Sequence, residues 1–406
     1  VILSLILGCL ACLSLTLLLW QWVAALRFPL HQRAGDNSFA PAVTLLKPLK
    51  ECDPSTEDCL RSWFTQQYAG GMQFLFAVAS AEDPVCEVVR RLMNEYRHRD
   101  AQLVVCSAVP GANAKASKLA ELEKLAQYEV LIISDADVQV PPDFLTNVVA
   151  PLRAEDGRAG SPLPAVSGPA HDGAHGVTRP ASQTVGLVSC FYRLANPTTL
   201  AMQWEAIAVN ADFWSQVLQS QSLKPLDFAL GAVMVTRRRH LDEIGGFKSL
   251  AECLADDYQL GNRLARLGYR IALCTVVVQC WDPPVTWGSV WKHQLRWART
   301  IRVCRPAPYF FSILSNATLW PLLWFVANPA KSVLLFACAA WGARVLAATH
   351  LQTRLAQSRG HWLFFWLVPV KDLLQVVIWF CAFTGNRIEW RRQRYRLRRD
   401  GTLIKA

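Results

Sequence analysis

The chain opens on an unbroken apolar run. Residues Val1 to Leu26 (VILSLILGCLACLSLTLLLWQWVAAL) carry no charge. As a helix rising about 1.5 Å per residue, this stretch spans a hydrocarbon layer of about 30 Å. It shows neither the basic start nor the small-residue cleavage site of a signal peptide, so a retained anchor over 1–26 is expected. Arg27 and Arg33 follow it, and the positive-inside rule then places the next domain in the cytoplasm.

Between about residue 40 and residue 300 the pattern becomes that of a globular domain. Short aliphatic runs bounded by turn residues recur at Ala42 to Leu46, Gln73 to Ala79, Gln102 to Cys106 and Val130 to Ser134. They read as buried parallel strands. Val85 to Arg97, after Asp83-Pro84, and Ala116 to Gln127 read as helices between them. Such alternation predicts an α/β domain with right-handed crossovers. Asp156 to Thr184 breaks the pattern with Gly, Pro, Ala and Ser, and reads as a mobile surface insertion. His171 and His175 within it read as solvated.

Beyond Ala307 the chain is apolar again. Pro308 to Val326 and Ser332 to Ala348, separated by Asn328-Pro329-Ala330-Lys331, predict a helical hairpin in the bilayer. His361 to Phe383 is apolar but carries Pro369 and the costly pair Lys371-Asp372. A full crossing there would put the following arginines on the wrong side, so a re-entrant or interfacial segment broken at Pro369 is expected. Membrane helices are thus expected over 307–384 and a basic cytoplasmic tail over 385–406.

Composition sharpens this picture. At 52% apolar and 18% charged residues, the 406-residue chain is neither disordered nor collagen-like. Its formal charge of +11 is uneven: Gly385 to Arg399 hold seven arginines against Glu389 alone. A basic segment beside membrane helices favours anionic lipid, by about 1 kcal/mol per residue, and no nucleic-acid partner is expected. The 13 cysteines are scattered. Cys9 and Cys12 form a lone C-x-x-C inside the apolar start, without a second pair at zinc spacing. Reduced thiols facing the cytosol are expected, with a Cys52–Cys59 pairing left open.

The candidate chemistry is acidic. Asp135 and Asp137, in Ser134-Asp135-Ala136-Asp137-Val138, follow a strand's C-terminal end, where α/β sheets bind ligands. Paired oxygen ligands suit Mg2+ or Mn2+, though a turn or helix cap explains the same residues. Asp256 and Asp257 precede a helical stretch, either complementing its dipole or offering a general base. His293, Arg296 and Trp297 fall on one helical face, suited to a phosphate and a flat apolar wall, or to a membrane surface. Lys47-Pro48 ends the first strand, where a base and ribose would sit. Asp83 follows the second strand, and Lys115 stands within reach of a phosphate. All fall after strand ends on one side of the same sheet.

In this order the motifs resemble inverting, nucleotide-sugar-dependent glycosyltransferases with a GT-A (Rossmann-like, mostly parallel) fold, and more narrowly the ceramide glucosyltransferase family. The segments that carry the resemblance are VTLLKPLKECDP (43–54), the EDP at 82–84, NAKASKL (113–119), ISDADV (133–138), VGLV (185–188), IGGF (244–247), ADDYQLG (255–261), HQLRW (293–297) and WRRQRYRLRRDGT (390–402). The resemblance implies nucleotide contacts at Asp83, metal and UDP contacts at Asp135 and Asp137, and a catalytic base at Asp257. His293, Arg296 and Trp297 occupy the family's (Q/R)-x-x-R-W motif near the acceptor or diphosphate, with His293 departing from Gln or Arg. Asp256 is expected in the same subsite, and Lys47, Pro48 and Lys115 on the nucleotide sugar. The implied activity is hexose transfer from a UDP-sugar to a lipid hydroxyl at a membrane, bacterial inner or Golgi-type. UDP-glucose and ceramide lead, and a bacterial branch acting on hopanoids is similar. A processive polysaccharide synthase shares the motifs, but few membrane segments are available here to build its channel.

Overall fold

The central aliphatic runs become strands buried on both faces, which leaves no polar side to alternate with. The computed structural model describes residues 1–106, 111–153, 184–390, 393–398 and 401–405. In chain order the main strands are β1 (Val43–Pro48), β2 (Met72–Val78), β3 (Asp100–Val105), β4 (Val130–Ser134), β5 (Val138–Gln139), β6 (Val185–Leu194), β7 (Val233–Arg237) and β8 (Arg270–Cys280). They form one eight-stranded sheet ordered β3-β2-β1-β4-β7-β6-β8-β5. β1, β2 and β4 are buried at every position. β3 is the sheet's half-exposed edge.

Six strands run in one direction, while β7 and β5 oppose their neighbours. The mostly parallel α/β architecture expected from the pattern is therefore present. The C-terminal ends of β1, β2, β3, β4, β6 and β8 share one rim with the start of β7. Helices cover both faces. Thr56–Phe64 and Val85–Glu95 pack with Trp63, Phe64, Phe74 and Phe76 on one side. Ala114–Leu125, Trp214–Gln221 and Asp256–Arg266 pack with Leu119, Trp214, Leu131 and Leu260 on the other. Residues 156–183 of the expected insertion, His171 and His175 among them, lie outside the described residues.

Among the described residues two helices, Ile2–Arg27 and Lys331–Ala356, are long and apolar enough to cross a membrane. The expected straight helix Pro308 to Val326 is not formed. Pro306–Ser315 and Leu319–Ala327 meet at a 56° bend. Asn316 makes the corner: its Oδ1 accepts the amides of Thr318 (3.1 Å) and Leu319 (2.9 Å), and its Nδ2 donates to the Asp372 carbonyl (2.9 Å).

The expected break at Pro369 is also corrected. Leu367–Phe383 is one helix of 17 residues, and Pro369 lies in its first turn, where a missing N–H costs nothing. Lys371 and Asp372 are buried, but they are not alone. The Arg344 guanidinium donates to Asp372 (2.7 and 2.8 Å) and to Asp212 (2.9 Å), which the Lys371 ammonium also meets. Thr318 Oγ1 completes the cluster on Asp372 at 2.5 Å. Two cations thus balance two carboxylates inside the protein, which removes the cost foreseen for an isolated charge pair in lipid.

The basic tail is folded rather than free. Arg387–Trp390 (β9), Gln393–Leu397 (β10) and Leu403–Lys405 (β11) form an antiparallel sheet. It docks on the α/β domain: Leu254 donates to the Gly401 carbonyl (3.3 Å) and Leu403 to that of Glu252 (2.9 Å). Ile388, Tyr395, Leu397 and Leu403 bury themselves against Leu254, which supplies the driving force a pattern of arginines conceals. None of the thirteen cysteines is in a disulfide, so Cys52 and Cys59 are not bridged.

Candidate active site

Asp135 and Asp137 leave the C-terminal end of β4 in the turn that leads to β5. Lys47 of β1 holds this turn from below. Its ammonium donates to Ser134 Oγ (3.1 Å) and to the Asp135 carbonyl, and lies 5.3 Å from the Trp63 ring centre. The residue is wholly buried, and burial lowers its pKa to about 8 despite the nearby carboxylates of Asp137 and Asp135. Lys47 therefore supports the turn from within the core. Pro48, next to it, is buried at the strand end beside Ala77. Asp83 sits on the same rim past β2. Its carboxylate accepts the amides of Glu51 (3.1 Å) and Val85 (3.2 Å), ordering the loop after β1.

Lys115 ties two distant acidic motifs together. Its ammonium is 2.6 Å from Asp135 Oδ1 and 3.4 Å from Asp256 Oδ2. Burial opposes its charge, but Asp135 and Asp256 outweigh this and raise its pKa. The lysine is placed by Asn113. That side chain caps the helix Ala114–Leu125 through the amides of Lys115 (3.0 Å) and Ala116 (3.1 Å). Its Nδ2 reaches across to Asp256 Oδ1 (3.2 Å) and the Cys253 carbonyl (2.8 Å).

Asp256 and Asp257 open the helix Asp256–Arg266. Asp256 is buried, and apart from the Lys115 ion pair its Oδ2 has no hydrogen-bond partner among the described residues. Asp257 accepts the Tyr258 amide at 2.7 Å. Its other oxygen lies against Gly231, just before β7, where a Cβ would come within 2.8 Å of Oδ2. Burial, then repulsion from Asp256, pushes the Asp257 carboxyl up to about 6, with Lys115 pulling the other way. A Gly231→Ala variant is expected to fold but to displace this carboxylate, lowering activity roughly 10²-fold. Activity per folded molecule, with the melting temperature as control, measures this.

The HQLRW segment lies on the helix Trp287–Cys304. The rings of His293 and Trp297 meet edge to face at 4.5 Å, so the one-face expectation holds. His293 Nδ1 is 2.7 Å from Glu205 Oε1, which also accepts from Gln294 (2.8 Å). Arg296 lies on the same helix, half-buried. Trp297 packs on Phe213 (6.1 Å), and Phe213 on Tyr192 (5.7 Å) at the end of β6.

Glu205, Tyr192, Asn113 and Asp282 were not singled out from sequence. Asp282 follows β8, and burial raises its pKa while His293 lowers it. Asp137 feels both neighbours: burial, then Asp135 and Asp282, push its carboxyl up to about 7. This crowding of negative charge is what a divalent cation relieves. An all-oxygen set from Asp135 and Asp137 suits Mg2+ or Mn2+. Among the described residues no three His, Cys, Asp or Glu side chains enclose an ion by themselves, so further ligands would come from substrate or water.

A mostly parallel sheet with a D-x-D turn at its central strand, and a second acidic pair across the rim, is the framework of a GT-A domain. A family model described as glycosyl transferase family 21 matches residues 4–168 and 170–403, and the chain belongs to that family. Ceramide glucosyltransferase 3 of Caenorhabditis elegans is 24% identical over 251 residues, 61% of this chain and 48% of that protein. Ceramide glucosyltransferase of Candida albicans is 30% identical over 130 residues, 29% of this chain and 24% of that one. The chain spans at most about half the length of these curated relatives. A mannosyltransferase of Pyrobaculum calidifontis, solved with GDP-Man and Mn2+, aligns over 91% of this chain and 99% of its own, at 21% identity and a TM-score of 0.46.

Proposed function

We propose that the chain is a membrane-bound inverting glycosyltransferase that moves a hexose from a UDP-sugar to a lipid hydroxyl, with UDP-glucose and ceramide as the favoured pair. The observation that carries this reading is the shared rim: Lys115 joins the D-x-D turn to the Asp256-Asp257 helix through two ion pairs. The nucleotide sugar lies across the strand ends, with Asp83 and the loop after β1 on the nucleoside side. A divalent cation held by Asp135 and Asp137 would neutralise diphosphate charge.

Asp257 takes the proton from the acceptor hydroxyl, and that oxygen attacks the anomeric carbon from the face opposite UDP, inverting configuration. Arg296 meets negative charge developing on the leaving UDP. Trp297, backed by Phe213, offers an apolar wall. Glu205 orients the His293 ring through Nδ1. The candidate membrane helices bring this rim to the lipid surface.

Incubating membranes that contain the chain with a panel of radiolabelled UDP-sugars, then identifying the labelled lipid by mass, tests the assignment. One β-linked hexose per lipid is expected. A polymer, or no labelled lipid with any donor, rejects it. A base must be ionised to act, so kcat/KM is expected to rise with pH through about 6 and level off above it. A profile flat from pH 5 to 8 removes Asp257 from the base role.

A further inference from the structure

Between the helix Trp287–Cys304, the end of the helix Leu367–Phe383 and the C-terminal sheet lies a cleft of ≈ 990 Å³. Arg299, Arg387 and Arg396 line it, with Asn386 between them. Arg302 stands behind Asn386, donating to its Oδ1, and lies 5.7 Å from the Phe383 ring centre. Arg299 donates to the Arg387 carbonyl. Among the described residues no carboxylate pairs with any of these four arginines, and the buried Nε atoms of Arg299 and Arg302 have no hydrogen-bond partner.

Burial and the neighbouring Arg302 depress the Arg299 pKa, the signature of a cation left without an anion. Among the described residues no Asp, Glu or His lines the cleft. Arginine forks match phosphate oxygens in pairs.

The surroundings indicate what carries the phosphate. Exposed aromatic rings border the cleft: Phe383 is 42% exposed and Phe310, 6.3 Å from it, 51%. Phe311, 5.2 Å from Phe310, extends the same surface at 59%. A ligand with phosphate at one end and hydrocarbon at the other satisfies both halves, whereas a free anion engages the arginines alone.

We propose that this cleft is a binding site for the headgroup phosphate of an anionic phospholipid, whose chains lie along the Phe310–Phe383 surface. The site holds whatever the donor and acceptor of the transfer reaction are.

Native mass spectrometry of the full chain in neutral detergent, titrated with phosphatidylglycerol, phosphatidylcholine or inorganic phosphate, tests it. Arg387 and Arg396 are both exposed, so the double variant Arg387→Gln/Arg396→Gln keeps the fold. It is expected to lose roughly thirtyfold in phosphatidylglycerol affinity with phosphatidylcholine binding unchanged. Arg387→Lys/Arg396→Lys should regain most of that loss. Unchanged phosphatidylglycerol binding in the Gln variant overturns the site. An equal loss in the Lys variant overturns its electrostatic basis. Inorganic phosphate bound as tightly as the phospholipid overturns the lipid assignment.

Discussion

Asp257→Asn is expected to lower hexose transfer by roughly 10²- to 10⁴-fold, the range associated with losing a general base. The substitution is nearly isosteric. Its carbonyl oxygen still accepts the Tyr258 amide, and the fit against Gly231 is preserved. What disappears is the group that takes the acceptor proton. Donor binding should survive, because Lys115 is tied to Asp135 and Asp256, not to Asp257. Single-turnover transfer with labelled donor, alongside calorimetric UDP-sugar titration, separates the two effects. Wild-type turnover in the variant excludes Asp257 as base. Loss of donor binding together with turnover assigns it a structural role instead.

Arg344→Ala should act on stability. The arginine makes three hydrogen bonds to Asp212 and Asp372, and all three side chains are buried. Removing it leaves Lys371 to balance two carboxylates. Breaking a buried pair in this way costs about 3–5 kcal/mol, because the stranded charge has no water to turn to. The melting temperature in detergent should fall accordingly. Adding Asp372→Asn to the same variant removes one stranded carboxylate and should recover part of the loss. An Arg344→Ala protein that melts with the wild type shows that the cluster adds no stability.

The consequence reaches the active site. Asp212 directly precedes Phe213, whose ring touches Trp297 and Tyr192. The charged cluster thereby fixes where the apolar wall of the proposed acceptor site stands.

Much of the catalytic half was readable from sequence because its signals are local. Buried parallel strands announce themselves as aliphatic runs, and β4 occupies Val130–Ser134 as expected. Helices Val85–Glu95 and Ala114–Leu125 differ from expectation by about one turn or less at each end, where fraying and capping decide. Asp135 and Asp256 meet at Lys115 because strand ends and helix starts are local features on one rim.

What stayed hidden depends on partners far apart in the chain. Glu205 meets His293 across 88 residues, and Asp212 meets Arg344 across 132. Neither carboxylate sits in a motif. Lys47 was misplaced for the same reason: a lysine at a strand end reads as exposed until Ser134 and Trp63 close over it. The C-terminal arginines masked the alternating Ile388, Tyr395, Leu397 and Leu403 that fold the tail. The bend at Asn316 needed Asp372, 56 residues on, to hold it.

The docking of that small sheet also constrains how the chain threads a bilayer. Thr402 bridges to Cys253, and Leu403 bonds to Glu252, so the last strands share a compartment with the α/β domain. Every passage outward between residues 305 and 384 must therefore be matched by a passage back. An odd number of traverses in that stretch is incompatible with the folded enzyme.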